Sequence, residues 1–147
     1  MILKLEQNET QKDIEITIKY PAKDKKIDDI VSFLKTYDTR IECNSKNGIK
    51  RVNVSDIYYI ESREKQAVVF CEKESHQTNF RLYQLNEKLS DKGFVQISKY
   101  CVVNINKVDK FKPLLNSRME AILTNGAHLY INRNYLANIK RKFQNDE

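Results

Sequence analysis

Three short polar clusters carry the side chains best suited to chemistry: Arg63-Glu64-Lys65-Gln66, Ser98-Lys99-Tyr100 and Asn132-Arg133-Asn134. Each sets a cation beside amide, hydroxyl or phenol groups. Such groups hydrogen-bond phosphate oxygens and base edges. Arg133 also follows Asn132, an expected helix N-cap, and the free N–H groups at a helix start can hold a phosphate. The same residue types fill ordinary turns and caps. The clusters alone therefore leave a nucleic-acid contact and a merely solvated corner both open.

Other chemistry finds little support. His76 and His128 are far apart, and neither has a Cys, His or carboxylate at metal-ligand spacing. Asp28-Asp29 falls on the polar face of an expected helix, where solvated charge suffices. With only three Gly in the chain, there is no Gly-rich phosphate loop and no nucleophile-elbow pattern. A Ser/Cys/His triad has no fixed spacing, so a small hydrolase stays open on that ground alone. No cofactor is expected.

The chain has 147 residues and a net charge of +6. The charge is unevenly placed. Residues 1–45 hold 8 Lys+Arg against 9 Asp+Glu, whereas residues 46–147 hold 18 against 11. A basic segment beside a near-neutral one points to a polyanionic partner for the basic part. Cys43, Cys71 and Cys101 are widely spaced and odd in number, which suits buried free thiols in a reducing compartment. No apolar run reaches the ~20 residues of a membrane helix. Residues 1–12 lack the apolar core of a signal peptide, so a cytoplasmic location is expected.

The elements that must position the clusters follow from periodicity. Asp13–Tyr20 alternates, with Ile14, Ile16, Ile18 and Tyr20 on one side, and predicts a half-buried strand closed by Pro21. Asp24 then caps a helix whose apolar stripe is Ile27, Ile30, Val31 and Leu34, widened by Phe33. Residues 1–45 thus form a small strand–helix extension, a possible dimer contact, and residues 46–147 a second domain. That domain is mostly strand. Short β runs span Ile49–Ser62, Gln66–Glu72 and Ser75–Phe80. Leu82, Leu85 and Leu89 give one short central helix, stopped by Gly93. Cys101–Ile105 is a further strand. Asn125-Gly126 predicts a type I′ hairpin turn. Tyr135, Leu136, Ile139 and Phe143 lie on one face of a closing basic helix, whose Lys140, Arg141 and Lys142 suit its C-terminal dipole. The expected fold class is mainly β, α+β overall, with antiparallel sheets.

Five segments in this order resemble the LytTR-type DNA-binding domain of bacterial transcription regulators. They are Ile57–Ser62, Phe80–Leu89, Phe94–Phe111, Leu123–Tyr135 and the closing basic helix. The extension also resembles that of short, stand-alone family members. The resemblance implies stacked antiparallel sheets whose loops enter successive major grooves of duplex DNA and bend it. It assigns Lys99 to a base- or phosphate-contacting position and Arg133 to the arginine of the family's S-R-x-Y motif. Lys65 and Gln66 occupy the first contacting loop. Arg63, Tyr100, Asn132, Asn134 and Lys140 complete the expected DNA-binding set. Gln96, Tyr100 and Asn132 stand where the family has Arg, Ser and Ser.

One module has few base contacts, so a homodimer on direct or inverted DNA repeats is expected; by family analogy alone a membrane-protein regulator is implied. The 45 residues ahead of the match are too few for a phosphorylation receiver, so control by aspartyl phosphate is not expected. Two non-enzymatic alternatives use the same basic face. One is a protein-interaction module that docks an acidic protein or membrane surface. The other is an RNA binder, which would need exposed aromatics on a sheet face; Tyr58, Tyr59 and Tyr83 are its candidates.

Overall fold

A computed structural model describes residues 1–143, with side chains as far as Arg141. The run Cys101-Val102-Val103-Asn104 explains the architecture. It forms strand β7 (Cys101–Asn104), and all four residues are buried. A strand covered on both faces needs no polar alternation. Val102 points into one apolar cluster with Ile41, Val54, Ile60, Val69, Leu85 and Phe94. Cys101 and Val103 point into another with Val95, Ile97, Ala121, Leu123, Leu129, Ile131 and Ile139. The two cores lie on opposite sides of one central sheet.

That sheet has five strands. Besides β7 it contains β3 (Tyr59–Arg63), β4 (Gln66–Phe70), β5 (Ser75–Gln77) and β6 (Phe94–Ser98), in the order β5-β4-β3-β7-β6. The neighbours pair antiparallel. One face is covered by helix α2 (Leu82–Leu89) and by a two-stranded sheet of β1 (Arg40–Ser45) and β2 (Gly48–Asn53). The other is covered by a sheet of β8 (Val108–Pro113), β9 (Met119–Leu123) and β10 (His128–Ile131), and by α3 (Leu136–Phe143). The mainly antiparallel, stacked-sheet expectation holds, as does the short central helix. Leu82, Leu85 and Leu89 are all buried. Gln84 Oε1 accepts from the Arg81 N–H at 2.8 Å at the start of α2, and Gly93 adopts φ 82° after the helix. A Cβ there would lie 3.3 Å from Asn106 Nδ2.

Buried polar groups are matched. Asn104 Nδ2 donates to the Ile57 carbonyl at 2.8 Å and its Oδ1 accepts from Asn106 N–H at 3.1 Å. Thr78 Oγ1 donates to the Ala67 carbonyl at 2.7 Å. An unpaired polar atom there would cost about 1–3 kcal/mol, and none occurs among the described buried side chains. The cysteines are free, with Cys43 and Cys101 buried. Burial pushes the Cys43 thiol up to about 11 and the Cys101 thiol up to about 12, so both stay neutral, unreactive packing groups.

Two expectations change. Asp13–Tyr20 has the alternation of a strand but pairs with no described strand, and Ile14 and Ile16 are 85% and 60% exposed. A strand is defined by a neighbour's hydrogen bonds, and alternation cannot supply the neighbour. Helix α1 (Lys25–Tyr37) forms as expected, with Asp24 Oδ1 accepting from Ile27 N–H at 3.2 Å. The β1–β2 hairpin follows it, spanning residue 45, and Ile41 and Cys43 on β1 belong to the main core. The Asn125-Gly126 hairpin forms between β9 and β10, but only Gly126 has positive φ. Asn125 instead uses its side chain, accepting from Ala127 N–H at 3.1 Å and donating to the Glu72 carbonyl at 3.2 Å. The two-residue turn with positive φ at both positions occurs at Glu64-Lys65, φ 50° and 68°, between paired Arg63 and Gln66. A two-residue link with strand twist demands that shape even without glycine. On α3, Ile139 is buried and Leu136 packs on the same core, while the side chains of Lys142 and Phe143 lie outside the described residues.

Candidate nucleic-acid interface

The three polar clusters occupy connections at one end of the central sheet. Glu64-Lys65 link β3 to β4, Lys99-Tyr100 link β6 to β7, and Asn132–Asn134 link β10 to α3. Antiparallel pairing of β3 with β7 brings Glu61 opposite Cys101. The ladder is extended by Ser62 N–H, which donates to the Tyr100 carbonyl at 2.9 Å. The first two turns are thereby locked side by side.

The third is attached through an irregularity. The β6–β7 register shifts between Gln96 and Ser98, so Ile97 is an extra residue in its strand. A bulge frees backbone groups from the ladder and re-aims them. Here the Ile97 carbonyl accepts from the Asn132 N–H at 2.9 Å. Asn132 Oδ1 in turn accepts from Asn134 N–H at 3.0 Å, which holds Arg133 in a single tight turn ahead of α3. Asn132 is thus the expected N-terminal cap, one turn earlier than the α-helix proper. Ser98 Oγ accepts from Tyr100 N–H at 3.2 Å and shapes the middle turn.

Charge at this end is predominantly positive. Glu61 is occupied by Arg63, whose Nη2 and Nε lie 3.0 and 3.2 Å from its Oε2. Glu120, buried on β9, hydrogen-bonds with His128 Nδ1 on β10. Lys65, Lys99, Arg118 and Arg133 form no ion pair with another described residue, and Lys99 Nζ lies 5.6 Å from the Tyr100 ring centroid. Glu64 puts one carboxylate at the tip of its own turn. A shallow groove joins the turns to β10, lined by Glu61, Ser62, Ser98, Tyr100, His128 and Tyr130.

Lys65, Gln66, Lys99, Tyr100, Asn132, Arg133 and Asn134 are therefore brought together and exposed. Arg63 sits at the same end, but its guanidinium is committed to Glu61 and covers the Phe70 ring at 4.9 Å. Lys140 is exposed on the second turn of α3, and no hydrogen bond among the described residues ties it to the three turns. One element of this end escaped the sequence reading. The β8–β9 connection, Leu114–Arg118, adjoins Asn132 because Ile131 pairs with Met119. Its signal was the Asn116-Ser117 turn pair followed by Arg118, overshadowed by the stronger Asn125-Gly126 signal a few residues on.

Stacked antiparallel sheets that hold cationic turns at one end define a loop-presenting binding module. The comparisons make the class specific. Residues 47–144, about two-thirds of the chain, match the model of the LytTr DNA-binding domain. The chain belongs to the LytTR DNA-binding domain family.

Among curated proteins, it is 26% identical over 102 residues to the sensory transduction protein LytT of Enterococcus faecalis, covering 69% of this chain and 42% of that protein. It is 30% identical over 64 residues to the transcriptional regulatory protein YpdB of Escherichia coli, covering 44% of this chain and 26% of that protein. The chain thus spans less than half the length of these relatives. In fold it resembles the LytTr DNA-binding domain of a Bacillus cereus protein, with a TM-score of 0.66 and 18% identity, covering 71% of this chain and 96% of that one. No helix among the described residues is long and apolar enough to cross a membrane.

Proposed function

We propose that this chain is a sequence-specific transcription regulator that grips duplex DNA with the three turns at the end of its central sheet. The carrying observation is the pair of backbone hydrogen bonds, Ser62 to Tyr100 and Asn132 to Ile97, which make one rigid unit of three cation-bearing turns. Lys65 and other Lys and Arg side chains at this end neutralise phosphates and supply position and much of the affinity. Arg133 and Lys99 read bases in the major groove, and the turns enter successive grooves by bending the duplex. The reaction is binding alone, with no catalytic step.

Of the three tyrosines an RNA platform would use, the two on or beside the central sheet are occupied, and Tyr83, though exposed, lies on helix α2 rather than on a sheet face. Tyr58 is buried in the core, and Tyr59 is stacked on Phe70 at 4.5 Å between centroids, with the Arg63 guanidinium over Phe70. Titrating the chain with duplex DNA, single strands, structured RNA and an acidic polypeptide at one salt concentration tests the proposal. Duplexes selected from a random pool are expected to bind 10³-fold or more tighter than scrambled ones, as specific sites do. Equal affinity for all four polyanions contradicts it.

The exposed Ile14, Ile16 and Tyr20 support a dimer in which the Asp13–Tyr20 segments of two copies pair as strands. Because β1 is part of the core, the informative truncation removes residues 1–22 and keeps the Asp24 cap. That variant is expected to stay folded, sediment as a monomer and bind repeated sites more weakly than the full chain. A truncated chain that remains dimeric removes this segment from the interface.

A further inference from the structure

The β8–β9 connection has features that the three turns do not explain. Leu115, at its tip, is 87% exposed. The loop is nonetheless defined: Leu114 N–H donates to the Arg118 carbonyl at 2.8 Å, closing it at the base. Asn116 and Ser117 both adopt left-handed backbone, φ 63° and 60°. Such conformations in non-glycine residues are unfavourable and persist where surrounding structure enforces them, commonly at binding sites. The product of this turn is a leucine held out in water.

We propose that this loop is a fourth contact with duplex DNA, in which Arg118 meets a backbone phosphate and Leu115 packs against sugar and base edges in a groove. The proposal rests on the DNA-binding reading above and extends it to a loop outside the three turns. Position comes first. Met119, which follows Arg118, pairs with Ile131, and Ile131 precedes Asn132. The loop therefore flanks the Arg133 turn on the side away from β6.

Charge agrees with position. Lys110 and Lys112 are exposed on β8, and Glu120, which faces Lys112 across the strands, is taken up by His128. The strand leading to the loop thus adds two exposed cations, and the carboxylate opposite Lys112 is already occupied. A partner here must be anionic and must also accept an apolar tip. Duplex DNA offers both, through its phosphates and through the apolar edges of its sugars and bases, and leucine is a known wedge against base steps. An anionic lipid surface offers the same two features. Continuity with the Arg133 turn favours DNA.

The test uses the full chain, a labelled duplex selected from a random pool, its scrambled counterpart, and a range of salt concentrations. Arg118→Ala is expected to weaken both duplexes alike and to lower the slope of log affinity against log salt by about 0.9. Leu115→Ser is expected to weaken binding to the selected duplex by about tenfold, the scale of losing a leucine contact, with the slope unchanged. Leu115→Met should restore most of the loss. Both side chains are exposed, so thermal melting should not move.

Wild-type affinity and slope in both variants, with Arg133→Ala still impaired, overturn the fourth contact and leave the DNA reading standing. No duplex binding by the wild-type chain overturns the DNA reading itself. Leu115-dependent binding to phosphatidylserine vesicles, with duplex affinity unaltered by Leu115→Ser, overturns the choice of DNA in favour of a membrane surface.

Discussion

Replacing Arg133 by alanine is expected to lower affinity for the selected duplex by roughly 5- to 150-fold, the 1–3 kcal/mol of a bidentate arginine–guanine pair. It should also relax sequence preference at a single base pair. The size follows from how the residue is held. Asn132 is fixed at both its backbone and side chain, through the Ile97 carbonyl at 2.9 Å and the Asn134 N–H at 3.0 Å. An arginine on so constrained a turn loses little freedom on binding, apart from its own rotamers. It also forms no ion pair with a described residue that DNA would have to displace.

Affinity measured on the selected duplex and on single-base variants checks the expectation. A uniform loss on every sequence, with a salt slope smaller by about 0.9, would move Arg133 from base to phosphate. No loss on any sequence would remove it from the interface. Arg63→Ala should do much less on DNA, because that guanidinium already serves Glu61 across 3.0 Å; an exposed pair of this kind contributes at most about 1 kcal/mol to stability.

The second large effect is on stability, and it lies directly beneath the site. Ile97→Ala is expected to cost about 2–5 kcal/mol, a large share of the about 5–15 kcal/mol that holds a domain folded. Ile97 is fully buried between the central and three-stranded sheets. It is also the bulge residue whose carbonyl anchors Asn132. The cavity would therefore open where two of the three turns are joined.

Urea unfolding should show a lower midpoint with an unchanged slope. Ile49→Ala, at an exposed position on β2, should change stability by no more than about 0.5 kcal/mol. Equal midpoint shifts in the two variants would contradict the packing described. Under conditions where the Ile97 variant is still fully folded, its DNA affinity should also fall, since the Arg133 turn loses its support. The Ile49 variant should bind as the native chain does.

Much of this architecture was legible because its causes are local. Leu82, Leu85 and Leu89 announce α2 through their spacing, and Asp24 caps α1 through its own side chain. Asn132 marks the turn before α3 in the same way. The apolar run Cys101-Val102-Val103 signals a buried strand. The polar clusters were visible as clusters, and the family resemblance rested on their order.

What sequence misjudged was pairing. Asp13–Tyr20 has perfect alternation and no neighbouring strand among the described residues. The tight turn with positive φ was expected at Asn125-Gly126, which has the residues for it. It arises at Glu64-Lys65, where two strands in fixed register leave only two residues to connect them.

The sequence by itself determined the helices, most of the strands of the central sheet, where the chain turns, and that cations gather at some of those turns. These are matters of periodicity, capping and turn chemistry, each decided within a few residues. Only the tertiary structure decided that the turns share one end, that the Ile97 bulge ties the Arg133 turn to the central sheet, and that Leu115 and Arg118 stand next to it. Each of those depends on which strand lies beside which, and hydrogen bonding between distant segments is set by the whole fold rather than by any local pattern.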